Sequence, residues 1–569
     1  MDNFEFLYII AIVASLILVG IRLPQMNIQI LEEQSINIEP HDHSILSYTS
    51  HDPIVITWNE NFTSLGFPGD GSVTDPYMIT GLNITTNGIC ILIRYVDAYF
   101  VISDCYLSGG VEGTGVRLSH TSLGTIQNNI ISNNDNGVYL FISSNITLVN
   151  NVISKNNQDI ILSSVDNTTI MNNQLTGGDY GIYSNQLFGS IIEMNSIAEC
   201  DYGMYFRYSR ENKIVNNDFS GNNQSVYFLD TYESEIVGNS ILGIQMGIYI
   251  GASSDNTISS NIISNHTLFA ILIASSSRNT VVNNTLFNND RGLRIFSGSD
   301  NTVLGNIIVW NNLGMSIDVS EDNILRENII AINDDDGIRI SSSSFSIIEN
   351  NKISGNNNYG IEIKFSGRNY LVNNTIAGNG IIGLSVLESD SNDFYGNIIA
   401  DNEIVNACDN STSNDWNITN IGNFWSDYDG TGVYNVFGSA NSVDHHPSTY
   451  QSDVSPPIIP EIADIQVEVG TVGNNITWSP TDIHPLFYIL YRNDTLLTLS
   501  IWTGGSIAKN IDNLSVNLYN ITLVVFDSFG NFARDTVIVT VHATTSSLTN
   551  TTNSTIDGFD TLFIVEIIG

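Results

Sequence analysis

The fold is decided by a motif that recurs through the chain, as in NNVISKNNQDIIL (residues 150–162), NNQLTGGDYGIYS (172–184) and ENIIAINDDDGIRI (327–340). Each copy has an asparagine, an apolar pair, a polar turn and an apolar–x–apolar segment. The asparagine returns every 22 or 23 residues, at thirteen in-register positions. These positions are Asn129, Asn151, Asn173, Asn195, Asn217, Asn239, Asn261, Asn284, Asn306, Asn328, Asn351, Asn374 and Asn397. Self-similarity at one fixed period indicates a repeat architecture.

Each repeat predicts one coil of a β-solenoid. Apolar residues alternate over short segments without a helical period, and Gly and Asn supply the turns. A single coil cannot bury its apolar face, so stacked coils must share one core. We therefore expect an all-β chain with a right-handed parallel β-helix of roughly fourteen or fifteen coils over residues 77–420.

The asparagine column has a structural explanation. Asn tolerates left-handed backbone better than other non-glycine residues. Stacked side-chain amides can also hydrogen-bond from one coil to the next. We predict that these asparagines lie at a left-handed turn and form a ladder with no catalytic role.

The strand after the turn carries one outward column, because side chains alternate between the two faces of a strand. The column is predicted to contain Arg117, Tyr139, Ile161, Tyr183, Tyr205, Tyr227, Tyr249, Leu272, Arg294, Ser316, Arg339, Glu362, Ser385 and Cys408. Four successive members, Tyr183, Tyr205, Tyr227 and Tyr249, form an aromatic strip with one ring every ~4.8 Å. Such a strip is suited to binding sugar rings. Mutual stacking that only stabilises the sheet is the alternative.

Two acidic residues lie at the edge of this strip. Asp179 and Asp201 each stand four residues before a strip tyrosine. Their carboxylates could accept sugar hydroxyl groups or hold Ca²⁺. We therefore add them to the candidate ligand-binding residues.

The repeats, together with GDGSVTDPYMITGLNIT (residues 69–85) and GNFWSDYDG (422–430), resemble the parallel β-helix family with the PbH1 repeat. The similarity is closer to its NosD-like branch of exported carbohydrate-acting and copper-associated proteins. The two quoted segments resemble the opening and closing motifs of that branch. The resemblance implies the fold, whereas such solenoids include lyases, hydrolases, epimerases and binding proteins.

A charged cluster is the candidate catalytic site. Asp335 and Arg339 share one coil, and Arg294 precedes Arg339 by two coils in the outward column, roughly 10 Å away. β-Helix lyases use an Arg or Lys base with Ca²⁺, and hydrolases need paired carboxylates. A solvated turn with compensating charges is the alternative.

The resemblance also implies copper, but the residue pattern disfavours it. Copper sites gather His, Met and Cys. The repeats contain only His120 and His266, and the adjacent His445 and His446 would point to opposite sides of a strand. Calcium fits better in SDYDGTG (residues 426–432), through Asp427 and Asp429. We expect no required cofactor.

The charge excludes nucleic acid as a partner. The chain has 59 Asp and Glu residues against 18 Lys and Arg, a formal net charge of −41. This sign repels phosphate backbones and anionic lipid. Four cysteines in 569 residues do not indicate a disulfide scaffold.

The N-terminus indicates export. Residues 7–21 (LYIIAIVASLILVGI) have the length of a signal-peptide core and are shorter than the ~20 residues that span a bilayer. We assign residues 1–22 to a signal peptide or short anchor, so membrane contact would require the uncleaved segment. Sixteen Asn-x-Ser/Thr sites, Asn83 and Asn553 among them, agree with export. Residues 23–76 form the N-terminal segment and solenoid cap.

The composition changes after the repeats. Residues 421–452 form the closing segment and 453–460 (DVSPPIIP) a Pro-rich linker. Residues 461–543 alternate in short segments between turn signals, which predicts a small immunoglobulin- or fibronectin-III-like β-sandwich with Trp478 and Tyr519 in its core. Residues 544–569 are a Ser/Thr-rich stalk and apolar tail.

These features predict an exported surface protein whose β-helix rod binds polysaccharide or cell-surface glycan, as a binding, scaffold or adhesion module. A Ca²⁺-dependent polysaccharide lyase or glycoside hydrolase is one alternative, and a passive surface-layer spacer is another. An exposed tyrosine strip favours the first two functions, and a covered strip favours the spacer. The oligomeric state stays open.

Overall fold

The computed structural model describes residues 48–543, which form a parallel β-solenoid followed by a small β-sandwich. The apolar run at residues 7–21 and the stalk from residue 544 onward lie outside the described residues. Within 48–543, no helix is long and apolar enough to cross a membrane. One short helix, Glu60–Ser64, lies near the start of the solenoid.

Each coil contributes strands to three faces, named here in chain order. Face 1, directly after the ladder asparagine, contains Thr49–Ser50, Leu82–Thr85, Tyr106–Ser108, Ile130–Ser132, Val152–Ser154, Gln174–Thr176, Ser196–Ala198, Ile262–Ser264, Thr285–Phe287, Ile307–Val309, Ile329–Ala331, Lys352–Ser354, Thr375–Ala377, Ile398–Ala400, Phe424–Trp425 and Ser448–Thr449. Face 2, the Gly–apolar–x–apolar segment, contains Ile54–Ile56, Ile89–Arg94, Gly110–Ser119, Asn134–Ser144, Gln158–Asp166, Tyr180–Phe188, Tyr202–Arg207, Phe269–Ala274, Arg291–Phe296, Leu313–Asp318, Ile338–Ser341, Tyr359–Lys364, Ile382–Leu387 and Val405–Asn410. Two long strands, Asp218–Leu229 and Ser240–Gly251, run through both faces.

Face 3 is a separate sheet of fifteen strands. These are Tyr77–Thr80, Phe100–Ser103, Gly124–Gln127, Thr147–Val149, Thr169–Met171, Ile191–Glu193, Lys213–Val215, Glu235–Val237, Thr257–Ser259, Thr280–Val282, Thr302–Leu304, Ile324–Arg326, Ile347–Glu349, Tyr370–Val372 and Asp393–Tyr395. Every strand pairs in parallel with its equivalent one coil away, as Val152 pairs with Gln174 on face 1. This stacking confirms the predicted parallel solenoid.

Paired strands extend beyond residues 77–420 at both ends. Ile54–Ile56 already pairs with Ile89–Arg94 on face 2. At the other end, Phe424–Trp425 pairs with Ile398–Ala400 and with Ser448–Thr449. The segments expected to cap and close the solenoid therefore also add rungs to it.

The asparagine ladder is confirmed over its whole length. In each coil the side-chain Nδ2 donates to Oδ1 of the equivalent asparagine in the next coil, from Asn129 to Asn397 and on to Asn423. The expected left-handed backbone at these asparagines is wrong. The residue before each of them has positive φ instead, as at Asn128 (54°) and Asn150 (56°). The ladder position is therefore explained by amide hydrogen bonding, and the left-handed turn belongs to its neighbour.

Two further ladders occupy the other corners of the coil. One joins Asn289 through Asn311 to Asn402 between faces 1 and 2. The other joins Asn256 to Asn323 and then Asn369 to Asn414 before face 3. The sequence reading found one of these three columns, although the same 22- or 23-residue period marks the others.

Buried carboxylates cap the ladders at the C-terminal end. Asp444 accepts hydrogen bonds from the Asn423 and His446 backbone N–H groups and from Trp425 Nε1, which belongs to the GNFWSDYDG segment. Asp409 accepts from Asn414 and from Trp416 Nε1 at the neighbouring corner. A ladder's last donors have no next coil, so these charged acceptors satisfy them.

The sandwich has a five-stranded and a two-stranded sheet. Its strands are Ile465–Glu468, Asn475–Trp478, Pro485–Arg492, Thr495–Ile501, Ile507–Asn510, Asn517–Asp527 and Phe532–His542. Trp478 is fully buried and Tyr519 is 9% exposed, so the prediction that both lie in the core is confirmed. The Tyr519 hydroxyl donates to the Ser515 carbonyl, which fastens the strand to the preceding loop.

The sandwich packs sideways onto face 1, a contact that the sequence reading missed. Phe287, Val309 and Ala331 point outward from the solenoid yet are buried, in one cluster with Phe487 and Phe526 of the sandwich. The large apolar side chains of Phe287 and Val309 at outward positions were the available signal. The docked sandwich covers part of face 1.

The Pro-rich segment 453–460 is held against both bodies. Asp453 is 7% exposed, its backbone N–H donates to Asp401 of the solenoid, and its carboxylate contacts His484 of the sandwich at 2.6 Å. Ile458 also pairs with Thr481. This segment therefore joins the two bodies as an ordered strap.

Candidate functional site

The outward column of face 2 is continuous, as the repeat register predicts. Tyr183 pairs with Tyr205, Tyr205 with Tyr227, and Tyr227 with Tyr249 on successive coils. The column continues through Leu272 to Arg294 and beyond. All four tyrosines are partly exposed. They form the tyrosine column of the candidate site.

The four rings are stacked on one another. Neighbouring centroids lie 5.7, 4.9 and 4.3 Å apart, and the interplanar angles are 16°, 8° and 16°. Each inner ring therefore has its faces covered by its neighbours and presents its edge and hydroxyl group outward. A ligand at Tyr205 or Tyr227 would therefore meet ring edges and hydroxyl groups, not ring faces.

Burial within the stack raises the pKa of Tyr227 well above its ordinary value, and the adjacent Tyr249 and Tyr205 add to the shift. Burial also raises the pKa of Tyr205. These phenols are neutral at physiological pH and can both donate and accept hydrogen bonds. A row of neutral hydroxyl groups at strand spacing matches a ligand with many hydroxyl groups.

Two further tyrosines, missed at the sequence level, stand beside the column. Tyr180 pairs with Tyr202, and their rings lie 5.3 Å apart. Tyr202 stands nearly perpendicular to Tyr205 and Tyr227, at 87° and 86°. The signal was the Asp-Tyr-Gly triplet that occurs in both coils. The site is therefore two columns wide over these coils.

Asp179 and Asp201 are exposed at the edge of these tyrosines, as predicted. Their backbone groups join the coils: Asp201 N–H donates to Gly178 and Tyr202 N–H donates to the Asp179 carbonyl. These backbone bonds do not involve the carboxylates of either residue. They add acceptors beside the tyrosine hydroxyl groups.

The charged cluster lies farther along the same face. Arg339 Nη2 contacts Asp335 at 3.0 Å and Asp336 at 2.6 Å, and Arg339 Nε lies 3.3 Å from Glu362. Burial raises the pKa of Asp336 to about 6, against the opposing attraction of Arg339. Asp336 has no exposed surface and cannot touch a substrate. Its chemistry is that of a buried ion-pair network.

Arg294 is separate from this network. Ser316 lies between Arg294 and Arg339 in the column, as the register predicts. Arg294 Nε pairs with Asp318 at 2.8 Å. Arg294, Asp335 and Arg339 are each compensated by a neighbour, an arrangement that stabilises the face and supplies no unpaired base in this part of the chain.

Asp427 and Asp429, the candidate calcium ligands, face different partners. Asp427 accepts from Asn406 Nδ2 at 2.8 Å and from the Tyr434 hydroxyl at 3.0 Å. Asp429 accepts from the N–H and hydroxyl groups of Thr431, and this side-chain and backbone bonding lowers its pKa. The loop does not gather the two carboxylates with a third acidic or His ligand.

Among residues 48–543, one group of three could hold a metal ion: Asp453, Asp482 and His484, at the strap between solenoid and sandwich. Its donors are two carboxylates and one imidazole. The four cysteines are buried apart from one another as free thiols, and burial raises the pKa of Cys105 to about 11. The two carboxylates and one imidazole of Asp453, Asp482 and His484 do not fit a copper centre built on thiolate, thioether or several imidazoles.

The solenoid is weakly similar to several solved structures. A search of curated proteins finds no match to the chain. Among solved structures, a periplasmic alginate epimerase matches with TM-score 0.34 and 16% identity, covering 55% of this chain and 77% of its own. An alginate lyase from Paenibacillus sp. str. FPU-7 matches with TM-score 0.32 and 11% identity, covering 43% of this chain and 98% of its own.

The sequence match to a family is more extensive. Residues 72–232 and 233–430 each match the family described as periplasmic copper-binding protein (NosD). The two matches cover the tyrosine column, the charged cluster and the GNFWSDYDG motif (residues 422–430), and together more than half of the chain. On its solenoid and on this match, the chain belongs to the NosD family.

Proposed function

We propose that this protein is exported and binds polysaccharide along the tyrosine column of face 2. The observation that carries the proposal is the set of six partly exposed tyrosines in two adjacent columns, one rung every ~4.8 Å. The family description as periplasmic supports export. The sandwich packs on face 1, and the tyrosines of face 2 remain partly exposed, which supports binding there.

The chemistry of the two tyrosine columns favours a glycan as the ligand. Neutral phenol hydroxyl groups can donate to and accept from sugar hydroxyl groups, and ring edges offer apolar contact to the C–H groups of a sugar. Asp179 and Asp201 add acceptors at the edge. A repeating ligand fits a repeating site, because each additional rung adds the same small contribution without a new ordering cost in the protein.

The charge of the protein favours a neutral glycan. A net charge of −41 repels polyuronates unless a cation screens the contact. Neutral polysaccharides carry no such penalty. We therefore expect binding of neutral chains in the absence of Ca²⁺, and weaker binding of uronate chains that improves with salt or Ca²⁺.

The test is retention of the full chain on a panel of neutral and uronic polysaccharides, with and without Ca²⁺. We expect Tyr205→Ala/Tyr227→Ala to lose binding and keep its unfolding midpoint close to wild type. Tyr370→Ala is the matched control, because Tyr370 is a 41% exposed tyrosine on face 3. Unchanged retention in the double variant would refute the proposal and favour a passive spacer.

The same incubation tests the enzymatic alternative. Mass spectrometry of the recovered glycans would detect unsaturated or shortened oligosaccharides. Intact glycans are expected. Cleavage that is lost in Arg339→Gln but kept in Tyr205→Ala/Tyr227→Ala would assign the activity to the charged cluster and overturn the binding proposal.

A further inference from the structure

A second aromatic surface lies at the N-terminal corner of the solenoid. Trp58 is 56% exposed and its ring stacks on that of Tyr95, with centroids 5.3 Å apart and an interplanar angle of 23°. Tyr95 in turn lies 5.0 Å from the His120 ring. Trp416, Trp425, Trp478 and Trp502 are almost fully buried, and Trp310 is partly buried in the cluster between the solenoid and the sandwich. Because Tyr95 is itself 48% exposed, the two stacked rings form one contiguous aromatic patch, the kind of surface that marks a ligand contact.

The repeat explains why these rings meet. Ile56 pairs with Ile93 on face 2, which places Trp58 one coil below Tyr95 at the end of the strand. The Tyr95 N–H donates to Ser119, which places His120 on the next rung. One face of the indole is covered by Tyr95, and among residues 48–543 no other aromatic ring stacks on Trp58.

Hydrogen bonds hold Trp58 in place. Its backbone N–H donates to Asn61 Oδ1 at 3.1 Å. Asn59 Nδ2 donates to Asp97 Oδ1 at 2.7 Å, and the Asp97 N–H donates back to Asn59 Oδ1 at 3.3 Å. The loop that carries the indole is therefore tied to the loop after Tyr95. A preorganised platform binds without paying for ordering of the side chain.

Beside these rings lies an open cavity of about 550 Å³. This volume lies within the range of ~300–1,000 Å³ that is usual for small-ligand sites. Its lining residues include the hydroxyl-bearing Thr121, Ser122 and Ser144 and the acidic Glu60 and Asp97. None of the lining residues is Lys or Arg. Aromatic rings, hydroxyl groups and carboxylates together suit a sugar ring, and the carboxylates disfavour a uronate.

We infer that this corner, centred on Trp58, is a second glycan-binding site that takes a neutral sugar ring. The inference rests on the proposed function for the class of ligand and on its own residues for the site. Tyr95 and Tyr183 are four coils apart, roughly 19 Å along the rod. A long chain bound to the tyrosine column can reach the corner, so the two sites together increase the affinity for long glycans.

The experiment measures how strongly acrylamide quenches the tryptophan fluorescence of the full chain. Acrylamide is neutral, so the charge of the protein does not affect its access. The probes are neutral hexasaccharides of glucose or mannose, with hexagalacturonate for contrast. We expect a neutral hexasaccharide to protect Trp58 from quenching. Trp58→Ala should remove the protected signal and weaken hexasaccharide binding by about tenfold in calorimetry, the usual scale for one lost aromatic contact.

Phe365→Ala is the matched control, because Phe365 is 58% exposed at the equivalent turn of a distant coil. It should bind as wild type does. Tyr205→Ala/Tyr227→Ala should retain protection of Trp58 by a hexasaccharide and lose long-chain retention, which separates the two sites. If a hexasaccharide still protects Trp58 from quenching but the Tyr205→Ala/Tyr227→Ala variant retains long glycans as wild type does, this inference stands and the proposed function is refuted.

Absence of protection by every neutral hexasaccharide would overturn the inference, whatever the tyrosine column does. Equal affinity of Trp58→Ala and wild type would overturn it too. Equal protection by hexagalacturonate would refute the assignment of a neutral ligand. Circular dichroism of each variant checks that the corner still folds.

Discussion

Replacing one interior ladder residue, Asn261→Leu, tests the central claim about the solenoid. Asn261 is fully buried and makes four side-chain hydrogen bonds. Its Nδ2 donates to the Ile236 carbonyl and to Asn284 Oδ1, both at 2.9 Å. Its Oδ1 accepts from the N–H and Nδ2 groups of Asn239, also at 2.9 Å. Leucine has a similar volume but can make none of these bonds.

The magnitude follows from these partners. Four neutral hydrogen bonds at about 1 kcal/mol each amount to about 4 kcal/mol. The Asn239 N–H loses its acceptor inside the core, which adds about 1–3 kcal/mol. Burial of the leucine side chain offsets about 1.5–3 kcal/mol. We expect a net loss of about 4 kcal/mol in the free energy of unfolding of this region.

The assay is chemical unfolding together with amide hydrogen exchange, because a solenoid can open locally without complete unfolding. Protection should fall most in the coils on either side of Asn261. Asn312→Leu is the control, since Asn312 is exposed and its one described side-chain bond is to Asp290 at 3.0 Å. An Asn261→Leu protein with the wild-type midpoint and unchanged protection would refute the ladder as a stabilising element.

Three further predictions concern other parts of the fold. Burial raises the pKa of Asp159 well above its ordinary value of 3.8, so the folded state binds this proton more tightly than the unfolded state does. The contribution of Asp159 to stability therefore falls as pH rises above about 4. Asp159→Asn should make the unfolding midpoint less dependent on pH in this range, and an unchanged pH profile would contradict the raised pKa. Phe487→Ala should lower the free energy of unfolding by about 3–5 kcal/mol and make the strap at residues 453–460 sensitive to protease. Leu518 is 54% exposed, so Leu518→Ala should change neither stability nor protease sensitivity. Asp444→Ala removes three charge-assisted hydrogen bonds and should destabilise the last coils by about 4 kcal/mol; hydrogen exchange that stays wild-type there would refute the capping role.

The geometry of the tyrosine column changes how a ligand would bind. The sequence suggested a flat strip on which sugar rings could stack, but the four rings stack on each other at 4.3–5.7 Å. Hydroxyl groups and ring edges therefore replace ring faces as the contact surface. Tyr205→Phe/Tyr227→Phe separates the two contributions, because it keeps the ring edges and removes the hydroxyl groups.

The outward columns of face 2 could be predicted because the repeat has a constant length. Once the coils are in register, Tyr205 must follow Tyr183 by one strand spacing, whatever the rest of the chain does. The same logic placed Arg294 two rungs from Arg339. Which neighbours neutralise those arginines was not predictable, because Asp318 and Glu362 reach them by side-chain conformation.

Periodicity along the sequence by itself determined the solenoid, the first asparagine ladder and the order of residues on face 2, since these depend on local alternation and on one repeat length. Tertiary structure alone decided the rest. The sandwich docks on Phe287 and Val309, and Asp444 closes the ladder. Each of these contacts joins segments that share no period, so their meeting depends on how whole surfaces pack and on which buried polar groups still need a partner.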